Sequence, residues 1–294
     1  MNKILKTSIA FLLLMAVMSI PACNKNNSQS DASDSNIHSG RKNIECLYYN
    51  SLDFINIPDY ELNAGTVQGC IVPHHLLAKD LIHEVFQNVR KNKYKTVVLI
   101  GPDHESTDRG KVFTTLSSWQ TPTGILETDG ELTQQLMKLS FVKEDDDKLT
   151  IEHSTSSIIP FINYYLKDVK VVTLVLTKQL KLSDMEALTD ALHDNINTDE
   201  TLFVASVDFS HYLSLDEADK MDLISMDAIQ NNNINKIMSF TNDNLDSPIS
   251  IAAMLNVMDK TGASKKMVLN RSNSELILKR EFDETTSYIT YLFY

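Results

Sequence analysis

The chain has 294 residues, of which 43% are hydrophobic and 22% charged, and its formal net charge is −12. That is the composition of a globular protein with a sizeable core, and its acidity excludes a surface built for phosphate backbones, so no nucleic acid is expected as a partner. No C-x-x-C pair, P-loop, G-x-G-x-x-G or G-x-S-x-G occurs, which removes the zinc-ribbon, nucleotide, dinucleotide and serine-hydrolase readings.

At the N-terminus, Met1 to Lys6 carries two lysines and is followed by an apolar run from Thr7 to Ile20. The run is too short and too asymmetrically flanked for a comfortable transmembrane span. It ends in Ile20-Pro21-Ala22-Cys23, which resembles the bacterial lipobox. Residues 1–22 are therefore expected to be a lipoprotein signal peptide, with Cys23 the lipidated first residue of an exported protein anchored to a cell membrane. From Cys23 to Asn43 the chain is rich in Ser, Asn, Asp and Lys, with Ile37 as its sizeable apolar group. Such a segment buries too little to offset the entropy of ordering and reads as a disordered tether over 23–43. Residues 44–294 then form one domain, because no second linker interrupts them. Cys46 and Cys70 are left either to pair or to remain free.

Beyond the tether, short apolar runs alternate with longer amphipathic ones, the pattern of strands separated by helices. Val67–Pro73 predicts a strand, and Ala78–Lys91 a helix with Leu81, Ile82, Val85, Phe86 and Val89 on one face. Thr96–Gly101 predicts a strand buried on both sides. Gly130–Leu139 and Ser156–Leu166 read as helices, Val169–Leu176 as a third strand, Ser183–Ile196 as a helix capped by Ser183, and Thr201–Val207 as a fourth strand. Helices follow around Asp216–Gln230 and Ile234–Phe240, and another opens at Pro248. Strands around Met267–Asn270 and Ser287–Phe293 close the chain. The fold expected is α/β, a central, mostly parallel sheet flanked by helices. The acidic groups Glu144 to Asp147 and Asp216, Glu217, Asp219 and Asp222 read as solvated surface.

The histidines fall at informative places on this map. His74 and His75 follow the strand ending in Ile71-Val72-Pro73, His104 follows Ile100-Gly101-Pro102-Asp103, and His211 follows Val207-Asp208-Phe209-Ser210. In open α/β sheets ligands bind at the carboxyl ends of strands, where neighbouring loops diverge. His153, in Glu152-His153-Ser154, stands where a helix begins. His83 and His193 lie inside amphipathic helices and read as surface or partly buried packing residues. Glu105 after His104 echoes H-E-x-x-H, but the second position is Asp108 and the context is a strand-to-loop turn, so the zinc-protease reading fails. Trp119 stands in Trp119-x-Thr121-Pro122-x-Gly124, and both a lid over the site and core packing remain open for it. Of the tyrosines Tyr48, Tyr49 and Tyr212, the last has a positional argument as a site hydroxyl, being next to His211.

The runs Ile71-Val72-Pro73-His74, Ile100-Gly101-Pro102-Asp103-His104, the Trp119 block, Glu152-His153-Ser154 and Val207-Asp208-Phe209-Ser210-His211 occur in the order of the signature blocks of the Memo family. The family is also called AmmeMemoRadiSam system protein B, and the resemblance spans Gly69 to Leu292. It implies a fold similar to the extradiol ring-cleaving dioxygenases. It also implies His74 and His104 as ligands of a divalent metal, Fe(II) being favoured and Zn or Cu also compatible. His211, supported by Asp208, takes the acid/base position, and His153 lines the pocket. The family's third ligand is a cysteine before a Pro-Ile pair; here the pair is Pro248-Ile249 and no cysteine precedes it. An ungapped match places Asn244 there, whereas a two-residue deletion places Asp246, which would complete the two-histidine, one-carboxylate arrangement of non-haem iron sites. Capping of the helix that opens at Pro248 is the competing role for Asp246 and Ser247. The implied function is a dioxygenase-like enzyme on an unknown small substrate; the alternatives are a metal-dependent hydrolase and a module that binds a small molecule or peptide without turnover. The family name further implies association with radical-SAM and AMMECR1-like proteins.

Overall fold

In chain order the elements are β1 (Ile44–Glu45), β2 (Gly69–Val72), α1 (Lys79–Val89), β3 (Thr96–Pro102), β4 (Val112–Thr114), β5 (Trp119–Thr121), β6 (Gly124–Leu126), α2 (Gly130–Leu136) and β7 (Val142–Glu144). There follow α3 (Asp146–Ile151), α4 (His153–Ser156), α5 (Ile159–Tyr165), β8 (Lys170–Leu176), α6 (Leu182–Asp194), β9 (Thr201–Ser206), β10 (His211–Leu213) and α7 (Leu215–Gln230). The last are α8 (Ile234–Ile237), α9 (Pro248–Thr261), β11 (Lys266–Asn273), α10 (Ser274–Leu278) and β12 (Thr285–Phe293). The structure, a computed structural model, describes residues 40–61, 65–105 and 110–294. The expected signal peptide, Cys23 and most of the tether lie outside the described residues.

The predicted apolar strands form the middle of a nine-stranded sheet ordered β10-β12-β2-β9-β3-β8-β4-β7, with β11 pairing β12. β2, β9, β3 and β8 run parallel, while the flanking pairs β12–β2 and β4–β8 are antiparallel. The period of two along each central strand builds two cores. Val98, Ile100, Val172, Leu174, Phe203 and Ala205 pack on one side with residues of α6 and α9. Val97, Leu99, Val171, Leu202 and Val204 pack on the other with residues of α1 and α5. Both faces of the central strands are thus covered, which is why they read as continuous apolar runs. β2, β9 and β3 are neighbours in the sheet, so the loops at their carboxyl ends, carrying His74, Asp208 and His104, meet over one crevice.

Several expectations are corrected. The helix expected over Ser156–Leu166 is α5, which opens only at Ile159 with Pro160 in its first turn, and the short α4 precedes it. Lys181, not Ser183, is the N-cap of α6, and Asp184 accepts its backbone N–H at 3.2 Å. The acidic groups are not uniformly solvated. Asp146 accepts from the hydroxyls of Thr115 and Ser117. Asp222 is fully buried, taking Arg271 at 3.0 Å and the Ser210 hydroxyl at 2.8 Å. Charge counted along one helix says nothing of a basic partner from a distant strand. The strands β4 to β7 and β10, three residues each, are too short to show a period and were not anticipated. Trp119 is fully buried in the core on the α1/α5 side and is no lid. Cys46 and Cys70 are free, and burial pushes the Cys46 thiol up to about 12.

Candidate metal centre

The site is assembled by close packing at the end of β3. A Cβ on Gly101 would stand 2.7 Å from Ser154 Oγ, so the absence of a side chain there lets α4 approach the strand. Ser154 then donates its hydroxyl to the Pro102 carbonyl at 2.7 Å. This brings Glu152 and His153, which open α4, over His104.

Glu152 is fully buried and was missed as a functional residue, although it stands in the Glu152-His153-Ser154 run. Its Oε1 lies 2.8 Å from His104 Nδ1, and its Oε2 accepts the His104 backbone N–H at 2.7 Å. A carboxylate can only accept, so Nδ1 of His104 carries a proton and Nε2 is the ring nitrogen left to face Asp246 or a metal. A similar inference holds for His74. Ser206 spends its hydroxyl proton on the Ser154 carbonyl, and its oxygen lies 3.4 Å from His74 Nδ1, again leaving Nε2 free. The two Nε2 atoms approach the same atom, Asp246 Oδ2, at 3.1 Å for His74 and 3.7 Å for His104. These contacts have ion-pair length without hydrogen-bond alignment. Both oxygens of Asp246 are buried and neither has a hydrogen-bond partner among the described residues.

Around this centre, His153 stacks on His104 with ring centroids 4.2 Å apart and meets His74 edge-on at 5.2 Å. Burial and the neighbouring imidazoles of His104 and His74 lower His153 to about 4. Donor atoms of two groups lie within 4.8 Å of one another: His74, His104 and His153, and His74, Asp208 and Asp246. The predicted set of His74, His104 and Asp246 draws on both. Burial opposes charging of His74 and His104, but the facing carboxylates raise both, His104 to about 10. Glu152, which burial alone would raise, is held down at about 2 by the same His104 hydrogen bond.

Asp208 does not orient His211 as expected. Its Oδ1 accepts the His74 backbone N–H at 3.0 Å and its Oδ2 lies 3.6 Å from His74 Nε2. His211 instead directs Nδ1 at the Phe209 carbonyl at 2.7 Å, so Nδ1 donates there and Nε2 is the ring nitrogen left over. Asn244, the alternative to Asp246, bonds the Ser225 hydroxyl and the Met221 carbonyl and takes no part in the centre. Ser247 does cap α9, its hydroxyl accepting from the backbone of Ser250, so capping falls to Ser247 and frees Asp246. Tyr212 is exposed, whereas Tyr48 reaches His153 with its ring 5.7 Å away and Tyr288 bonds His75 Nδ1 at 2.5 Å. His83 is buried rather than superficial, joining Tyr165 and the Asp53 carbonyl.

The donor set fits a divalent cation. Two donors sharing one ion at about 2.1 Å stand about 3.0–3.4 Å apart, near the separations found here, and a buried carboxylate without donors calls for a cation. Fold and site together define an α/β protein with a histidine–carboxylate centre at the carboxyl ends of its parallel strands. The chain belongs to the Memo family, whose profile, described as Memo-like protein, matches residues 41–291. A MEMO1 family protein of Aquifex aeolicus is 28% identical over 218 residues, covering 70% of this chain and 79% of the relative. One of Methanosarcina barkeri is 30% identical over 224 residues, covering 73% and 82%. In structure the chain is similar to an uncharacterized protein of Escherichia coli K12, with TM-score 0.50 and 13% identity over 76% of this chain and 98% of the other, a likeness of fold.

Proposed function

We propose that the protein holds a divalent metal, Fe(II) by its donor set, through His74, His104 and Asp246, and is a non-haem metal-dependent enzyme of dioxygenase type acting on a small molecule. The observation that carries this reading is the Asp246 carboxylate, buried, without a hydrogen-bond partner among the described residues and faced by the Nε2 atoms of two imidazoles. When bound, the metal would supply open coordination positions and Lewis acidity for the substrate and O2. The remaining work falls to the chain. Glu152 and Ser206 fix the rings of the two ligands. Asp208 ties the ligand loops together, its carboxylate accepting from His74 and its backbone carbonyl from the Asp246 N–H at 3.2 Å. His211 keeps Nε2 free to take a proton from a bound substrate and return it. His153 and Tyr48 provide a ring wall on one side of the site. The lipobox supports placement of this domain outside the cytoplasm on a lipid at Cys23.

The test is anaerobic reconstitution with Fe(II), followed by oxygen uptake over a panel of catechols and other small oxidisable molecules. Turnover is expected in the wild type, and His211→Ala is expected to lose at least about 100-fold while keeping its metal. Equal turnover in that variant would remove His211 from the mechanism. Loaded protein that turns over substrates without oxygen would replace the dioxygenase with a hydrolase, and tight loading without turnover would replace it with a binding module.

A further inference from the structure

Exposed apolar side chains gather on two segments that border the histidine site. Tyr48, Leu52 and Ile55 stand out of the arm between β1 and β2, and Tyr212, Leu276 and Leu278 out of β10 and α10; Leu52, Tyr212 and Leu276 are 66, 67 and 62% exposed. The Tyr48 ring lies 5.7 Å from His153, and that of Tyr212 lies 5.6 Å from His211. α10 packs on the short turn Leu76–Ala78 that follows His75. The arm is held in place rather than loosely draped. Lys79 bonds Asp53 at 2.7 Å, His83 Nε2 donates to the Asp53 carbonyl at 2.8 Å, and Phe54 seats on His83, Phe161 and Tyr164. The fold thus fixes these side chains facing outward, where leaving them in water is unfavourable.

What covers them is indicated by the length of chain between the arm and Cys23. Ile44 follows Cys23 by about 20 residues, and a flexible chain of that length spans about 25 Å on average, less than one bilayer thickness. An anchor at Cys23 would hold the arm beside the headgroups. Tyrosine together with Leu and Ile is the composition that settles at the lipid–water interface. Charges in the same segments are net acidic, since Asp59, Glu61, Asp283 and Glu284 join Glu45, Glu275 and Glu281 against Arg41, Lys42, Lys279 and Arg280, so the attraction is apolar and draws nothing from anionic lipid.

We propose that this rim docks on the bilayer, so that the histidine site opens onto the membrane surface and takes an amphipathic molecule resident there. The proposal rests on lipid anchoring at Cys23 and on the site described above. It is tested with the lipidated full chain in phosphatidylcholine vesicles whose acyl chains carry bromine. Trp119 is buried and gives a constant background, to which Leu52→Trp, Leu278→Trp and Lys95→Trp each add one reporter. Lys95 is 73% exposed and precedes β3 at the end of the sheet away from His104. Quenching at positions 52 and 278 is expected to be at least 2-fold stronger than at 95 and to persist at high salt. Equal quenching at the three positions, in protein that floats with the vesicles, overturns docking while leaving the anchor intact. A blue shift at 52 and 278 without bromine quenching means that a protein covers the rim, and also overturns it. Failure to float, with no lipid mass on Cys23, removes the anchor and the docking proposal with it, but leaves the metal site untouched.

Discussion

His104 and Glu152 meet twice: the carboxylate lies 2.8 Å from the ring Nδ1 and accepts the backbone N–H at 2.7 Å. One buried side chain thereby sets both the position of the His104 ring and which of its nitrogens faces Asp246. Glu152→Gln keeps the shape and removes the charge. It is expected to weaken metal binding by about 10–100-fold while the thermal midpoint of the metal-free protein stays within a few degrees. Titration calorimetry checks this, and an unchanged affinity would show that the ring needs no carboxylate behind it.

Metal uptake should expel protons. In the metal-free protein, burial disfavours the charged forms of His74 and His104, yet Asp208 and Asp246 raise His74, and Asp246 and Glu152 raise His104 to about 10. His104 is therefore a cation at neutral pH, whereas a ligand imidazole must be neutral, so about one proton leaves it on metal binding and affinity rises with pH toward about 10. Glu152, at about 2, and Asp246, also depressed, stay ionised across this range and add nothing. For folding of the metal-free chain the sign is opposite. A histidine raised in the folded state stabilises below its unfolded value of about 6.5, and that contribution is lost as pH climbs through the folded value. Calorimetry in buffers of different ionisation enthalpy reads the protons, and none released would contradict the paired site.

Trp119 should answer as a core residue. Its ring is fully buried and its Nε1 has no hydrogen-bond partner among the described residues. Trp119→Phe is therefore expected to cost less than about 1.5 kcal/mol, and Trp119→Ala about 3–5 kcal/mol, both without change in metal affinity. Denaturant unfolding measures the cost; lost metal binding in a stable Trp119→Phe protein would restore the lid.

His83 offers a contrast with the site histidines. It joins the Tyr165 hydroxyl at 2.9 Å to the Asp53 carbonyl at 2.8 Å, both buried. His83→Leu strands two polar groups and is expected to cost about 1–3 kcal/mol, leaving the metal site intact. Undiminished stability would mean that the arm is not held there.

The central strands could be read from residues alone, because burial on both faces of a parallel sheet demands continuous apolar runs; those of β2, β3 and β9 end at loops that carry a histidine, and the resemblance supplied the ligand set. Thr96–Pro102 and its successor His104 are the clearest case. Glu152 was not legible as the partner of His104, since the contact depends on Gly101 admitting Ser154 to the strand, a fact of packing rather than of period. The resemblance set Asp208 behind His211, whereas the turn after β9 directs its carboxylate at His74. Asp222 looked solvated because its partner, Arg271, comes from a strand 49 residues away. Asp246 stood between two roles in the sequence, and the capping one is taken by Ser247.

The most direct measurement is metal content by elemental mass spectrometry on protein prepared without oxygen, comparing the wild type with His74→Ala, His104→Ala and Asp246→Asn. The account predicts near-stoichiometric iron or another divalent metal in the wild type, and loss of at least nine-tenths of it, about a tenfold change or more in occupancy, in each folded variant. A wild type that stays empty after reconstitution, or an Asp246→Asn protein that retains its metal in full, would contradict the centre built on Asp246.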